Sequence, residues 1–415
     1  MRCFYAEKLK DILSLDASFS LIKEEVKEEE KAFFNMLFMT TFRQLTFIKT
    51  EILPMFIKKK ISKKQEILEY ILYLAISELL FLDTPDYAVI NSYVEIAKKK
   101  TDKFGGNFVN AVLRNILRKK DEILNNRKAK TFSKDFINIL KQDYSTDEIS
   151  EMENFANIEP MLDLTFKPNK EIIFDGGILL DFGTLRLPSN TKVKELEGFS
   201  DGIFWVQDAS SSLAVRAIED DLNNKNVLDL CAAPGGKTAQ LLSKGAFVTA
   251  VDVSSDRLKK LEENISRLKL NKNLKVICSD ALKLDIDEKF DIILIDAPCS
   301  ATGTYRRHPE IIHTKKMADV KKMASVQSKI LEKSITFLKD NGKIIYATCS
   351  LAKMEGENQI KQFLKNHPDF CISPISLCGT DKLQTKEGFL RVLPQHLKDF
   401  FGTDGFFVAS LQRKN

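Results

Sequence analysis

Residues 229–238 read DLCAAPGGKT, a run of small residues and a glycine pair placed directly after the apolar stretch VLDL at 227–230. A nucleotide phosphate loop is one substitution away, because G-x-x-x-x-G-K-[ST] needs glycine where Cys231 stands. The glycines would let a ligand approach the backbone, and a helix starting near Lys237 would turn free N–H groups toward it. The surrounding pattern has to say which ligand that is.

Downstream the pattern repeats. The apolar runs FVTAVDV (247–253), LKVICSD (274–280), FDIILIDAP (290–298) and GKIIYATCS (342–350) alternate with helical segments. In one of these, DRLKKLEENISRLKL, the residues Leu258, Leu261, Ile265 and Leu268 fall on one face. Buried parallel strands with crossover helices follow, an α/β doubly wound, mostly parallel sheet. In such a sheet ligands bind beyond the carboxyl ends of the strands, where strand order reverses, and DLCAAPGGKT lies at that place after the first strand.

The phosphate-loop reading has support of its own, since FDIILIDAP resembles a strand ending in a magnesium-holding aspartate. Against it, the Cys231 side chain would crowd a loop wrapped around phosphates. Asp252 ends the next strand, about 20 residues on, where a carboxylate takes the ribose hydroxyls of an adenosine-containing cofactor. Asp280 ends the third strand within reach of an adenine amino group. Acids at successive strand ends suit an adenosyl ligand and repel a triphosphate, although a single such aspartate is ordinarily a turn or cap residue.

DAPCS (296–300) and ATCS (347–350) each place a cysteine just past a buried strand on the same rim. A lone cysteine is ordinarily a small apolar residue, the reading given to Cys3, Cys278, Cys371 and Cys378. Two on one rim suit pyrimidine chemistry: C5 is a poor nucleophile until a thiolate adds to C6, and the thiolate leaves again afterwards. Asp296, if burial keeps it protonated, would hydrogen-bond N3 and stabilise the charge developing on the ring. No metal is required, and four histidines with no C-x-x-C pair argue against zinc or a disulfide framework.

The rest of the 415 residues divides by pattern. Residues 1–130 are expected to be all-helical: Ile67, Ile71, Leu74, Ala75 and Leu79 follow helical spacing, and KEEVKEEEK at 23–31 reads as a solvated helix face. KKDEILNNRKAKTFSKD reads as a linker with little helix. Residues 131–208, with EIIF and ILLDFGTLRL punctuated by glycines, read as a small α+β domain, and residues 209–415 carry the doubly wound sheet. A net charge of +5 permits an anionic partner without requiring one. Basic residues do cluster, at Lys58–Lys60 and Lys98–Lys100 and at Arg114, Arg118, Lys119 and Lys120. The start lacks the apolar core of a signal peptide, and YILYLAISELLFL is shorter than a membrane span and carries Glu78. A soluble cytoplasmic protein is expected.

DLCAAPGGKT, AVDVSSDRL, DAPCSATGTYRRHPE and YATCSLAKMEGEN, in that order, resemble the RNA (cytosine-5)-methyltransferases of the RsmB/Nop2/Sun family. LAISELLFLDTPDYAVINSYVEIAKK and FVNAVLRNILRK are similar to the NusB-type RNA-binding domain fused to the RsmB branch. The likeness runs from about residue 40 to DGFFVASLQRK near the end; the segment before it matches little, and 131–208 matches mainly through FWVQDASSSLAV. It implies a Rossmann-like class I methyltransferase domain at 209–415, behind a NusB-like unit and a small linker or RNA-recognition domain.

The implied cofactor is S-adenosyl-L-methionine. The implied substrate is 16S ribosomal RNA, or an early 30S assembly intermediate, for a monomer away from membranes. By motif, Cys349 is the nucleophile that attacks C6, and Cys299 helps release the product, as the base for the C5 proton. Asp296 contacts the cytosine. Cys231, Ala232, Ala233, Pro234, Gly235, Gly236 and Lys237 hold the methionine end, with Lys237 toward its carboxylate or capping the loop. Asp252 takes the ribose, Asp280 the adenine side, and Arg257 supports the site. Arg306, Arg307, His308 and Pro309 are expected to form a basic loop shaping the RNA-facing surface. Transfer RNA as substrate, an inactive RNA-binding assembly or antitermination protein, and a nucleotide hydrolase are the competing readings.

Overall fold

The computed structural model describes residues 2–15, 17–126 and 130–414. By compactness they form two units. The first takes the chain up to Lys141 together with Ser145–Asn157 and Arg307–Lys316; the second takes Gln142–Tyr144, Ile158–Arg306 and the chain from Met317 onward. The boundaries expected at 130 and 208 therefore fall inside these units.

The first unit is helical. Its centre is the helix Ile67–Phe81, whose apolar residues run all the way round, so it is buried on nearly every side. Its one acid near the C-terminus, Glu78, is completely buried and satisfied: Arg2 donates to it at 2.6 and 3.0 Å, and the Tyr93 hydroxyl at 2.9 Å. The helix Lys103–Arg118 is amphipathic, burying Val109, Val112, Leu113 and Ile116, and Asp102 caps its start by accepting from the Gly105 N–H. The acidic run at 23–31 stays in water but spans two helices, Phe19–Glu25 and Glu28–Phe47, because buried Val26 turns the chain to extended geometry between them. The first forty residues are part of this core, where Tyr5, Phe19, Phe34 and Phe38 pack ring against ring. The stretch read as linker holds the short helix Lys120–Asn125, and Lys134–Leu140 and Thr146–Asn154 are helices beyond it.

The second unit contains two sheets. Strands β1 (Leu162–Phe166), β2 (Ile178–Leu179), β3 (Leu185–Leu187) and β4 (Phe204–Val206) form an antiparallel sheet in the order β2-β3-β1-β4. A buried bidentate pair fastens it, Arg186 to Asp163 at 2.7 and 2.8 Å, and the same guanidinium donates to the carbonyls of Phe400 and Gly402.

Strands β5 (Asn226–Leu230), β6 (Phe247–Asp252), β7 (Leu274–Cys278), β8 (Phe290–Asp296) and β9 (Leu338–Thr348) are parallel. β10 (Phe370–Ile372), β11 (Leu390–Val392) and β12 (Phe406–Arg413) complete the sheet, in the order β10-β12-β9-β8-β5-β6-β7, with β11 also on β12. β12 runs antiparallel between β9 and β10. β5 has β6 on one side and β8 on the other, so strand order reverses at its carboxyl end, where the quoted loop begins.

Candidate active site

The loop after β5 is built for close packing. Cys231 and Gly235 both take left-handed backbone, with φ 61° and 99°, and a Cβ on Gly235 would lie 2.7 Å from Leu261 Cγ. The helix Gly236–Ser243 starts at once. Asp252, at the end of β6, is buried and braces the loop: it accepts from the Ala233 N–H at 3.2 Å and the Ser254 N–H at 3.0 Å. Arg257 approaches Asp252 at 3.4 Å and donates to the Ala233 carbonyl. Beyond Asp252, Val253 is an exposed apolar side chain. Asp280 caps its own turn, accepting from the Leu282 N–H at 2.9 Å.

A cavity of about 440 Å³ opens on the other side of the loop. Pro234, Gly235, Gly236, Lys237, Asp229, Asp296 and Cys349 line it, whereas Asp252, Arg257 and Asp280 do not. Gln207 of FWVQDASSS forms another part of the wall, accepting from the Trp205 indole at 2.9 Å and donating to Gln240 at 2.7 Å.

Asp229 was not singled out from the sequence, although it opens the quoted stretch. It is completely buried. One oxygen accepts from the Thr238 hydroxyl at 2.6 Å, and the other has no hydrogen-bond partner. Burial pushes its carboxyl up to about 7.

Lys237 donates to Asp296 at 2.6 Å and to the Ser211 hydroxyl at 3.0 Å, with its ammonium over the Phe406 ring. Asp296, whose role on the ring was made conditional on burial, has a side chain that is 33% exposed and paired with Lys237. Lys237 is thus turned to Asp296 in this structure. Three acids around the loop, Asp229, Asp252 and Asp296, leave a triphosphate without a favourable field.

The two rim cysteines meet, Cys299 Sγ lying 3.3 Å from Cys349 Sγ. Cys349 lines the cavity and Cys299 does not. The hydrogen bond with Cys349, and then burial, hold the Cys299 thiol well above the ordinary cysteine range. Cys231 is pushed up to about 12 by burial, which keeps it a thiol. The Gly303 N–H donates to the Cys349 carbonyl at 2.9 Å, binding the two cysteine loops together.

The family model described as 16S rRNA methyltransferase RsmB/F matches residues 217–412, and the NusB family model matches residues 5–118. The ribosomal RNA small subunit methyltransferase B of Serratia proteamaculans (strain 568) is 32% identical over 419 residues, spanning 96% of this chain and 94% of that protein. The chain belongs to the RsmB/F methyltransferase family. The crystal structure of PH0851, 23% identical, shares the fold with a TM-score of 0.72 over 93% of this chain and 91% of that one. A methyltransferase homolog protein from Pyrococcus horikoshii, 26% identical, gives a TM-score of 0.54 over 68% of this chain and all of that one, 100%.

Two other sequence expectations change in this RsmB/F chain. Arg306 is buried, donating to the Phe401 carbonyl, so it is not part of an exposed basic loop, and Arg307–Lys316 belongs to the helical unit. Cys278 and Cys378 are exposed thiols rather than buried apolar residues. Among the described residues no helix is long and apolar enough to cross a membrane, and no group of three or more His, Cys, Asp or Glu side chains could hold a metal ion.

Proposed function

We propose that this chain methylates C5 of a cytosine in 16S ribosomal RNA with S-adenosyl-L-methionine, through a covalent bond from Cys349 to C6. The observation that carries the reading is the thiol pair at 3.3 Å, with Cys349 lining the cavity beside Asp296 and the cofactor loop. The curated relative named above is a small-subunit rRNA methyltransferase, which supports the substrate class. A monomer acting in the cytoplasm on rRNA or an early 30S intermediate fits this reading, with the helical unit adding phosphate-directed affinity through exposed Arg114 and Arg118.

The residues present fit the cofactor. The partnerless Asp229 oxygen suits an ammonium, and the start of the helix Gly236–Ser243 suits the methionine carboxylate. Asp252 would take the ribose, Asp280 and Val253 the adenine side, and Arg257 would hold the loop in shape. When bound, S-adenosylmethionine supplies an electrophilic methyl carbon.

Cys349, as thiolate, bonds to C6 and the displaced electron pair makes C5 nucleophilic. Asp296, held by Lys237, faces the cytosine edge. After C5 has gained its methyl group, loss of the C5 proton re-forms the C5–C6 double bond and expels Cys349 with its electron pair. The C5 proton passes to solvent, and Cys299, 3.3 Å from Cys349, assists the release of the product. In this scheme Cys299→Ala accumulates a covalent RNA–protein band on a denaturing gel, while Cys349→Ala gives neither band nor methylation. The reverse pattern exchanges the two roles. Bisulfite mapping of ribosomal RNA from cells with and without the gene locates the modified cytosine, and an unchanged map removes 16S RNA as the substrate.

A further inference from the structure

Behind the two thiols sits a carboxylate that the chemistry above does not use. Glu355 ends the turn Lys353–Glu355 and is completely buried. Four donors converge on it. The Ser300 N–H at 2.8 Å and the Gln327 amide at 3.0 Å reach Oε1, while the Ser300 and Ser350 hydroxyls each reach Oε2 at 2.5 Å. Ser300 follows Cys299 and Ser350 follows Cys349 in the chain, so one side chain holds the neighbour of each thiol. The Gln327 amide nitrogen also donates to the Pro298 carbonyl at 2.9 Å, extending the clamp to the residue before Cys299.

We propose that Glu355 is a positioning residue for methyl transfer, fixing the separation of the Cys299 and Cys349 thiols by gripping both of their loops through one carboxylate. The inference rests on the two-cysteine reading given under Proposed function. Its physical basis is convergence: the loops leave different strands, β8 and β9, and side-chain placement within about 1 Å decides whether a sulfur reaches its target carbon. Thr302 and Gly303 brace the same loops, Thr302 by accepting the Leu351 N–H at 2.9 Å and Gly303 by donating to the Cys349 carbonyl. The Thr302 hydroxyl also meets those of Ser300 and Ser350, at 3.4 and 3.1 Å, and so supports the clamp that the Glu355 carboxylate closes.

The charge of Glu355 has a second effect. It adds to the forces that keep the proton on Cys299. The other ionisable groups around the pair are Tyr346, which donates to the Glu355 carbonyl at 2.8 Å, the buried Arg391–Glu357 pair, and Asp296 with Lys237.

Glu355→Gln keeps the shape but presents an amide N–H₂ where hydroxyl donors converge. In steady-state methylation of a 16S RNA fragment, kcat is expected to fall about a hundredfold. KM for the RNA and affinity for S-adenosylhomocysteine stay within about twofold of wild type. The limb of the kcat pH profile that belongs to the cysteine pair moves to lower pH, because a negative charge opposing the thiolate has gone. Wild-type kcat with an unmoved profile overturns the proposal, as does a loss that tracks cofactor affinity. Should Glu355→Gln fail to fold, the Ser300→Ala/Ser350→Ala double variant, which removes both hydroxyl donors, is measured instead, and full kcat there overturns the proposal equally. Cys349→Ala is assayed alongside. If it stays active, the two-cysteine reading and this inference both fail; if it is inactive while Glu355→Gln works normally, only the positioning role fails.

Discussion

With one oxygen bonded to Thr238 and the other without a hydrogen-bond partner, Asp229 is an acid held out of water at some cost. Its carboxyl sits near 7, and binding an ammonium needs the charged form. Affinity for S-adenosylhomocysteine, followed by calorimetry, is therefore expected to fall about tenfold per pH unit below that value. Asp229→Asn flattens the dependence and weakens binding by roughly ten- to a hundredfold. The same shift acts on stability with a definite sign: an acid whose folded pKa is raised stabilises the fold less as pH climbs from about 4 toward 7. Asp229→Asn should accordingly raise Tm at pH 8 while it weakens the cofactor, and a lowered Tm there contradicts the burial account. The positions of Asp252, Asp280 and both rim cysteines near strand ends were legible because each closes an apolar run, although what each would hold is not fixed by that. Asp229 was not, lying inside such a run and reading as strand. The state of Asp296 was hidden for another reason: its partner Lys237 lies 59 positions away in the chain.

Among the elements, β8 and β9 matter most, since their carboxyl ends launch the two cysteine loops. Those loops cross at Gly303, where a Cβ would stand 2.2 Å from the Gly405 carbonyl oxygen and 2.7 Å from that of Cys349. Gly303→Ala is expected to cost about 1–3 kcal/mol in denaturant unfolding and to lower kcat more than it raises KM. An unaltered kcat would show that the crossing does not place Cys349. The parallel strands were readable to within about two residues, except that β9 starts four residues before its expected run, because buried runs between amphipathic helices have few other uses. β10 and β11, at three residues each, carry too little pattern, and so does the seven-residue helix Lys134–Leu140. No local periodicity says that β12 inserts antiparallel beside β9; that depends on pairing across the whole sheet.

For the molecule as a whole, the telling segment is Arg307–Lys316, which belongs to the helical unit although β8 and the helix Met317–Ser334, on either side of it, belong to the other. Ile311 and Ile312 are buried in it, and the His313 ring lies 2.6 Å from the Phe42 carbonyl, donating from Nε2. Burial pushes His313 down to about 4, so it stays neutral in the fold. The unfolded chain takes up a proton below about 6.5, and stability is lost as pH falls from there toward 4, by at most about 3 kcal/mol. Thermal unfolding of the full chain between pH 7 and 5 should show this loss, and His313→Gln, which keeps a donor but cannot titrate, should lessen it. The family resemblance foresaw a helical unit and a methyltransferase sheet, but patterns along a chain place boundaries at points, and this one is not a point. A scissor applied once, before Ile158, would leave the catalytic piece carrying a hydrophobic peptide that belongs elsewhere and would leave the helices short of one. The two halves are therefore poor candidates for inheritance, exchange or expression as separate modules: they are sewn with two stitches, and the second lies only eight residues beyond Cys299.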